Sequence, residues 1–206
     1  MEPFAQPLLI VLAGPNGAGK STFYEQYLAA LGLPFVNADR IAIEQFGTND
    51  PVRATEAAAI ADRVRLELVA HRRSFIFETV LSDPVGAKVA FFKSARDVGY
   101  FVEAHFIGLD SPALSAARVS HRVTLGGHDV PLEKLQDRFA RTLENLLRLL
   151  DAASRVTIYD NSESARAHRP VAILEDGALV AIAEPLPGWL NAVDLAARRT
   201  VSTRPL

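Results

Sequence analysis

The chain has no cysteine among its 206 residues. This excludes disulfides, thiolate metal sites and a thiol nucleophile. One tryptophan and 8% aromatics overall leave no basic stripe interleaved with aromatic residues, the pattern that tracks nucleic acid. Lys and Arg number 22 against 24 Asp and Glu, a formal net charge of −2. Any polyanion site must therefore be local, with no general pull toward nucleic acid or an anionic membrane. Long apolar runs are missing too. The opening MEPFAQPLLIVLAG has an apolar stretch of about six residues without a basic flank, unlike a spanning helix or an export signal. The expectation is a cytoplasmic protein. The five histidines show no H-E-x-x-H spacing, and no Ser/His/Asp order stands out.

What is present is enough apolar residue, 49%, to bury the core of one domain. Short runs rich in β-branched and aromatic residues, at 8–13, 34–39, 75–80, 100–110 and 155–161, read as strands. Helical patterns separate them, several opening on a polar residue followed by proline (Asp50-Pro51, Asp83-Pro84, Ser111-Pro112), which suits an N-cap and first helical turn. Alternation of this kind predicts a three-layer α/β fold around a central, mainly parallel, five-stranded sheet. After Asn161 the pattern changes. VAILEDGALVAIAE reads as a hairpin turning at Asp176-Gly177, and LPGWLNAVDLAARRT as a closing amphipathic helix. A single domain is expected over 1–206, its core at about 8–162.

Residues 14–21, Gly14-Pro15-Asn16-Gly17-Ala18-Gly19-Lys20-Ser21, satisfy G-x-x-x-x-G-K-[ST] between a predicted strand and a predicted helix. Glycines let such a loop curl its N–H groups inward onto phosphate oxygens, and the following helix adds its positive end. Lys20 is expected at the β- and γ-phosphates, the Ser21 hydroxyl at magnesium, and Thr22 beside them. This is a P-loop, and ATP or GTP with Mg²⁺ is the implied cofactor set. Transporter-type ATPases need a Leu-Ser-Gly-Gly-Gln-like signature and a strand ending in Asp-Glu, whereas TLGGHD (124–129) lacks the serine and glutamine. GTPase switches need Asn-Lys-x-Asp, and no such string occurs. A P-loop ATPase module without a small-molecule acceptor remains the alternative to a kinase.

A kinase needs a group to accept or orient the acceptor's proton, and magnesium needs oxygen ligands. Asp39, in FVNAD, is the candidate base, on a strand expected to flank the phosphate loop; its structural alternative is a helix cap for residues 40–46. Glu78, inside the otherwise apolar FIFETV, is the candidate for magnesium, through water, or for an acceptor hydroxyl; its alternative is a buried ion pair with an arginine. Asp110 reads as a cap. Arg118 and Arg122 share one helix face without an acidic partner on that helix, a mildly unfavourable pair that an anion would relieve. Arg138 lies on the next helix and likewise lacks a partner, whereas Arg141 has Asp137 and Glu144 at ion-pairing distance in sequence. The Gly126-Gly127 break between those helices suits a closing lid, and His128 reads as a loop histidine.

Together GPNGAGKSTF, VNADRIA, FIFETVLS, RV…GGHDVP…RFARTLENL and YDNS resemble the zeta-toxin family of P-loop kinases, over roughly residues 8–162. The resemblance implies ATP- or GTP-dependent phosphorylation of a nucleotide-sugar hydroxyl, with UDP-N-acetylglucosamine the best-known acceptor. Other kinases of the fold use nucleotide-like acceptors such as nicotinamide dinucleotides. By motif, Lys20 and Ser21 hold phosphate and magnesium, Asp39 matches the catalytic aspartate, and Glu78-Thr79 match the glutamate motif beside the acceptor. Arg118 or Arg122 matches the first of two family arginines. Where larger members place the second, this chain has GGHDV, which leaves Arg138 as the substitute. By its position after the last core strand, YDNS reads either as packing near the adenine, with Asn161 as a contact, or as a simple turn. A protein antitoxin is the partner such a family implies.

Overall fold

The structure is a computed structural model, and it describes residues 6–124 and 132–206. The expected lid break at Gly126-Gly127, and His128, lie outside the described residues.

Among the described residues, eight strands form one sheet in the order β2-β3-β1-β4-β5-β6-β7-β8. They are β1 (Leu8–Ala13), β2 (Phe35–Val36), β3 (Phe75–Thr79), β4 (Phe101–Gly108), β5 (Arg155–Asp160), β6 (Arg169–Glu175), β7 (Ala178–Ile182) and β8 (Arg199–Pro205). The five predicted strands pair in parallel, as expected; beyond them β6 is antiparallel to both β5 and β7, and β8 pairs in parallel with β7. β1 is almost wholly buried, which explains its unbroken apolar sequence: a parallel strand is covered on both faces. The chain leaves β1 to build β2 and β3 on one side, then returns to add β4 and β5 on the other. The crevice where ligands collect in such sheets opens at the carboxyl end of β1.

The helices are α1 (Lys20–Phe23), α2 (Ala38–Phe46), α3 (Pro51–Ala70), α4 (Ala87–Asp97), α5 (Pro112–Thr124) and α6 (Leu132–Ala152). α1 continues as a π-helical segment (Tyr24–Leu28) and a 3-10 turn (Ala29–Leu31). One core face joins Leu9, Val11, Phe75 and Phe77 to Phe92 of α4 and Leu146 of α6. The other joins Ile10, Leu12 and Ile76 to Phe23 and Leu28 beneath the phosphate loop.

The caps are partly as predicted. Asp50 accepts the N–H groups of Val52 and Arg53 ahead of Pro51, and the Ser111 hydroxyl accepts that of Leu114. At Asp83-Pro84 the helix is delayed to Ala87, because residues 84–86 turn and Gly86 takes a left-handed conformation; Asp83 accepts the Ala87 N–H across the turn.

Beyond β5 the hairpin is not an appendage. β6 pairs antiparallel with β5 and extends the same sheet. Asp176 and Gly177, with φ of 48° and 80°, form the two-residue turn, the geometry that the Asp-Gly pair favours. The closing segment is not an amphipathic helix: it forms 3-10 turns at Gly188–Ala192 and Ala196–Arg198, then β8. Its buried residues, Trp189, Leu190, Val193 and Leu195, do not hold one helical stripe. Trp189 decides the path. Its indole N–H donates to Asp160 at 3.1 Å, and its ring lies where a Cβ on Gly108 would fall, 2.1 Å away. The C-terminal segment thus closes over the carboxyl ends of β4 and β5.

Candidate active site

The phosphate loop is a strained curl that neighbours hold in place. Gly14, Gly17 and Gly19 have φ of 142°, 71° and 92°, conformations open to glycine and costly to other residues. A Cβ on Gly14 would lie 2.1 Å from the Ile107 carbonyl oxygen, and one on Gly19 2.5 Å from the Asn161 amide nitrogen. α5 grips the other side. The Ser115 hydroxyl donates to the Asn16 carbonyl at 2.7 Å, and Gly17 packs against the Ser115 carbonyl and the Arg118 Cβ. With α1 starting at Lys20, the loop fits the phosphate chain the motif was read for.

Lys20 is buried and donates to the Gly14 and Pro15 carbonyls at 2.9 and 3.0 Å. Burial lowers its pKa, while Glu78 and Asp39 act in the opposite direction and Arg122 acts with burial. Burial raises the Glu78 carboxyl, and Lys20 and Asn37 offset this. Lys20, Glu78, Asp39 and Arg122 are therefore near enough to bias one another, a small charged group at the carboxyl edge of the sheet.

Each carboxylate arrives by a route the sequence did not disclose. β2 is the edge strand and β3 flanks β1, with Glu78 in register with Leu12. The expectation that Asp39 lies on the flanking strand is thus corrected. It stands in the first turn of α2, past the short β2, and reaches the crevice from there. It is not the cap of that helix: Asn37 is, its side-chain Oδ1 accepting the Arg40 N–H at 2.9 Å. The Asn37 amide donates to Glu78 at 2.7 Å, and the Asn49 amide to Asp39 at 2.9 Å. The other Asn49 side-chain atom, Oδ1, is buried without a partner among the described residues. Glu78 accepts from Asn37, and Lys20 and Arg122 both bear on its carboxyl electrostatically.

The other predicted residues divide. Arg118 sits against Gly17 and donates to the Ser162 carbonyl at 3.2 Å, bridging the loop to the end of β5. Arg122, one turn on, acts on Lys20 and Glu78. Ser21 and Thr22 are exposed at the loop's exit. Thr79 is buried, its hydroxyl accepting the Leu81 N–H at 2.9 Å. Asn161 lies behind the loop: its amide donates to the Ala18 carbonyl at 2.8 Å and its oxygen accepts the His168 N–H at 3.0 Å. Both polar ends are engaged, so it braces the loop. Arg138 is half-buried on α6, and among the described residues nothing charged pairs with it. Arg141 does not make the expected ion pairs; it donates to the Ser82 carbonyl at 3.0 Å. With Thr142 and Asn145, which donate to the carbonyls of Val80 and Leu81, it anchors the turn after β3.

Sequence reasoning missed Asn37, Asn49, Ser115 and His168, the second layer around the site. Asn37 carried a usable signal, a capping residue just before a helical pattern; the other three carried none.

Magnesium is implied by the motif. The Ser21 hydroxyl and the Glu78 carboxylate are hard oxygen donors of the right kind. Among the described residues no group of three or more acidic or imidazole side chains could hold a metal. Beside phosphates Mg²⁺ takes few protein ligands, and Ser21 and Glu78 are the candidates.

The zeta-toxin family model matches residues 1–170. An uncharacterized protein of Haemophilus influenzae is 25% identical over 130 residues, 63% of this chain and 91% of that one. Among solved structures, a chain of the PezAT chromosomal toxin-antitoxin system of Streptococcus pneumoniae superposes with a TM-score of 0.60 at 19% identity, covering 82% of this chain and 72% of that one. The AvrRxo1-ORF1:AvrRxo1-ORF2 structure with sulphate ions gives a TM-score of 0.69 at 20% identity, covering 95% and 66%. Its counterpart with ATP gives 0.65 at 20%, covering 84% and 60%. The three-layer P-loop kinase fold is common to all of these structures.

Proposed function

The chain belongs to the zeta-toxin family, and we propose that it is a magnesium-dependent kinase moving the γ-phosphoryl group of ATP or GTP onto a hydroxyl of a nucleotide-sugar-like acceptor, UDP-N-acetylglucosamine foremost. One observation carries this reading. A buried lysine, two carboxylates and an arginine converge at the mouth of a phosphate loop, whereas binding nucleotide alone would need only the lysine.

In this proposal the loop amides and Lys20 hold the β- and γ-phosphates, Lys20 leaving the Gly14 and Pro15 carbonyls to do so. Asp39, held by Asn49, accepts the proton of the acceptor hydroxyl. The hydroxyl oxygen forms a bond to the γ-phosphorus, the bond from that phosphorus to the β–γ bridging oxygen breaks, and ADP departs. Arg122 and Arg118, with Arg138 as the substitute second arginine, offset charge on the phosphoryl group in flight. Glu78, with Thr79 beside it, lies toward the acceptor. Magnesium, held by Ser21 and through water by Glu78, would neutralise phosphate charge. A protein partner of antitoxin type belongs to the same proposal, supported by the family and by the toxin-antitoxin system to which one similar structure belongs.

The test is ADP formation with and without acceptor. Turnover that rises with UDP-N-acetylglucosamine, related nucleotide sugars or nicotinamide dinucleotides, and that Lys20→Ala loses together with nucleotide affinity, supports the kinase. The same ADP rate with every acceptor and with none would indicate an ATPase module.

A further inference from the structure

Beneath α1, between its π-helical continuation and the sheet, lies a cavity of about 510 Å³, within the ~300–1,000 Å³ range of small-molecule sites. It is not the nucleotide crevice. Leu8 and Glu103, on its floor, stand well before the carboxyl ends of their strands at Ala13 and Gly108, roughly 16 Å away at about 3.3 Å per residue.

We propose that this cavity is a second ligand site, for an uncharged planar heteroaromatic ring bearing an N–H donor, of nucleobase size, and that its occupancy is felt at the phosphate loop through His168.

The walls are aromatic. The Phe23 ring centroid lies 5.0 Å from that of Tyr159, 5.3 Å from His105 and 5.2 Å from His168, with Tyr27 4.8 Å away and exposed at the rim. A flat ring matches such walls through edge-to-face or offset contacts. The floor is polar within this apolar setting. The Tyr159 hydroxyl and His105 Nδ1 are 3.2 Å apart, and His105 Nε2 is 3.8 Å from the Glu103 carboxylate. Burying this chain of groups is costly. Burial favours the neutral form of all three: His105 is held at about 4, Tyr159 is pushed up to about 12, and Glu103 is raised, Arg155 opposing this. A neutral ligand edge with an N–H donor and a ring acceptor complements such a floor; a charged one does not.

The remaining wall is the π-helical segment Tyr24–Leu28, a rare geometry that is frequent at functional sites. His168 links cavity to loop. It is buried, its backbone has a φ of 52°, its Nε2 is 3.3 Å from the Gly19 carbonyl, and its Nδ1 is unpartnered among the described residues. A ring lodged against His168 bears on Gly19, whose carbonyl also accepts the Phe23 N–H that starts α1.

The experiment titrates adenine, guanine, hypoxanthine and uracil separately into the full chain saturated with a non-hydrolysable ATP analogue, followed by calorimetry. At least one probe should bind with a millimolar or tighter Kd in the presence of the analogue. Leu28→Trp, which fills the cavity, and Glu103→Leu, which removes the acceptor, should each weaken it at least about tenfold. Circular dichroism and retained analogue binding establish that these variants are folded, and Glu103→Leu serves if Leu28→Trp is not. Because coupling is reciprocal, the bound probe should also shift the analogue's Kd, and His168→Gln should abolish that shift while the probe still binds. Failure of every probe to bind, displacement of each by the analogue, or undiminished binding in both cavity variants would overturn the site. Binding without any shift in the analogue's Kd would overturn the link to the loop. None of these readouts depends on phosphoryl transfer, so the two proposals stand or fall separately.

Discussion

The Asn37 side-chain amide nitrogen donates to the Glu78 carboxylate at 2.7 Å while its Oδ1 caps α2, the helix that carries Asp39. One side chain therefore sets two carboxylates that lie 39 positions apart in the chain (78 − 39). Asn37→Ala should remove the cap, at a cost of about 1 kcal/mol, and leave Glu78 without its donor. Both a lower urea midpoint and a slower transfer are expected. A variant with full activity and an unchanged midpoint would contradict the role given to Asn37.

Gly14→Ala should be more damaging than any other single change in the loop. The added methyl would lie 2.1 Å from the Ile107 backbone carbonyl, at a φ of 142°. Backbone cannot yield as a flexible side chain can, so loop and β4 must part. Nucleotide affinity should vanish, and thermal unfolding should show a lower Tm. Wild-type affinity in this variant would mean that the loop geometry is wrong.

How much of this was legible in the sequence depends on the range of the interaction. The phosphate loop, the five parallel strands and the Asp50 cap are local patterns, and each was readable. Strand order is not local: β3 inserts between β2 and β1, so Glu78, not Asp39, came to flank the loop strand. The route of LPGWLNAVDLAARRT depends on where Trp189 finds Asp160 and the bare backbone of Gly108, a long-range fit that no helical periodicity encodes. Arg141 misled for the same reason. Its acidic neighbours in sequence were visible, but the Ser82 carbonyl, 59 positions away, was not.

His105 gives a pH prediction. Burial, with Arg155 second, lowers its pKa from 6.5 to about 4. The folded chain thus binds this proton less readily than the unfolded chain. The associated stability is full above pH 6.5 and is lost as the pH falls toward 4, a loss of about 3 kcal/mol. His105→Gln should flatten the fall in urea midpoint across that window. An equal slope in both proteins would show that His105 is not held neutral.

The central claim is that the carboxylates beside the phosphate loop serve an acceptor. The most direct measurement is transfer of label from γ-labelled ATP, with magnesium, onto UDP-N-acetylglucosamine, related nucleotide sugars and nicotinamide dinucleotides, in the wild type and in Asp39→Asn. The account predicts label on one acceptor. It also predicts a loss of roughly 10²–10⁴ in rate in the variant, with ATP affinity within a few-fold of wild type. Label released only as free phosphate, at one rate with every acceptor and in both proteins, would contradict it and remove Asp39 from the site.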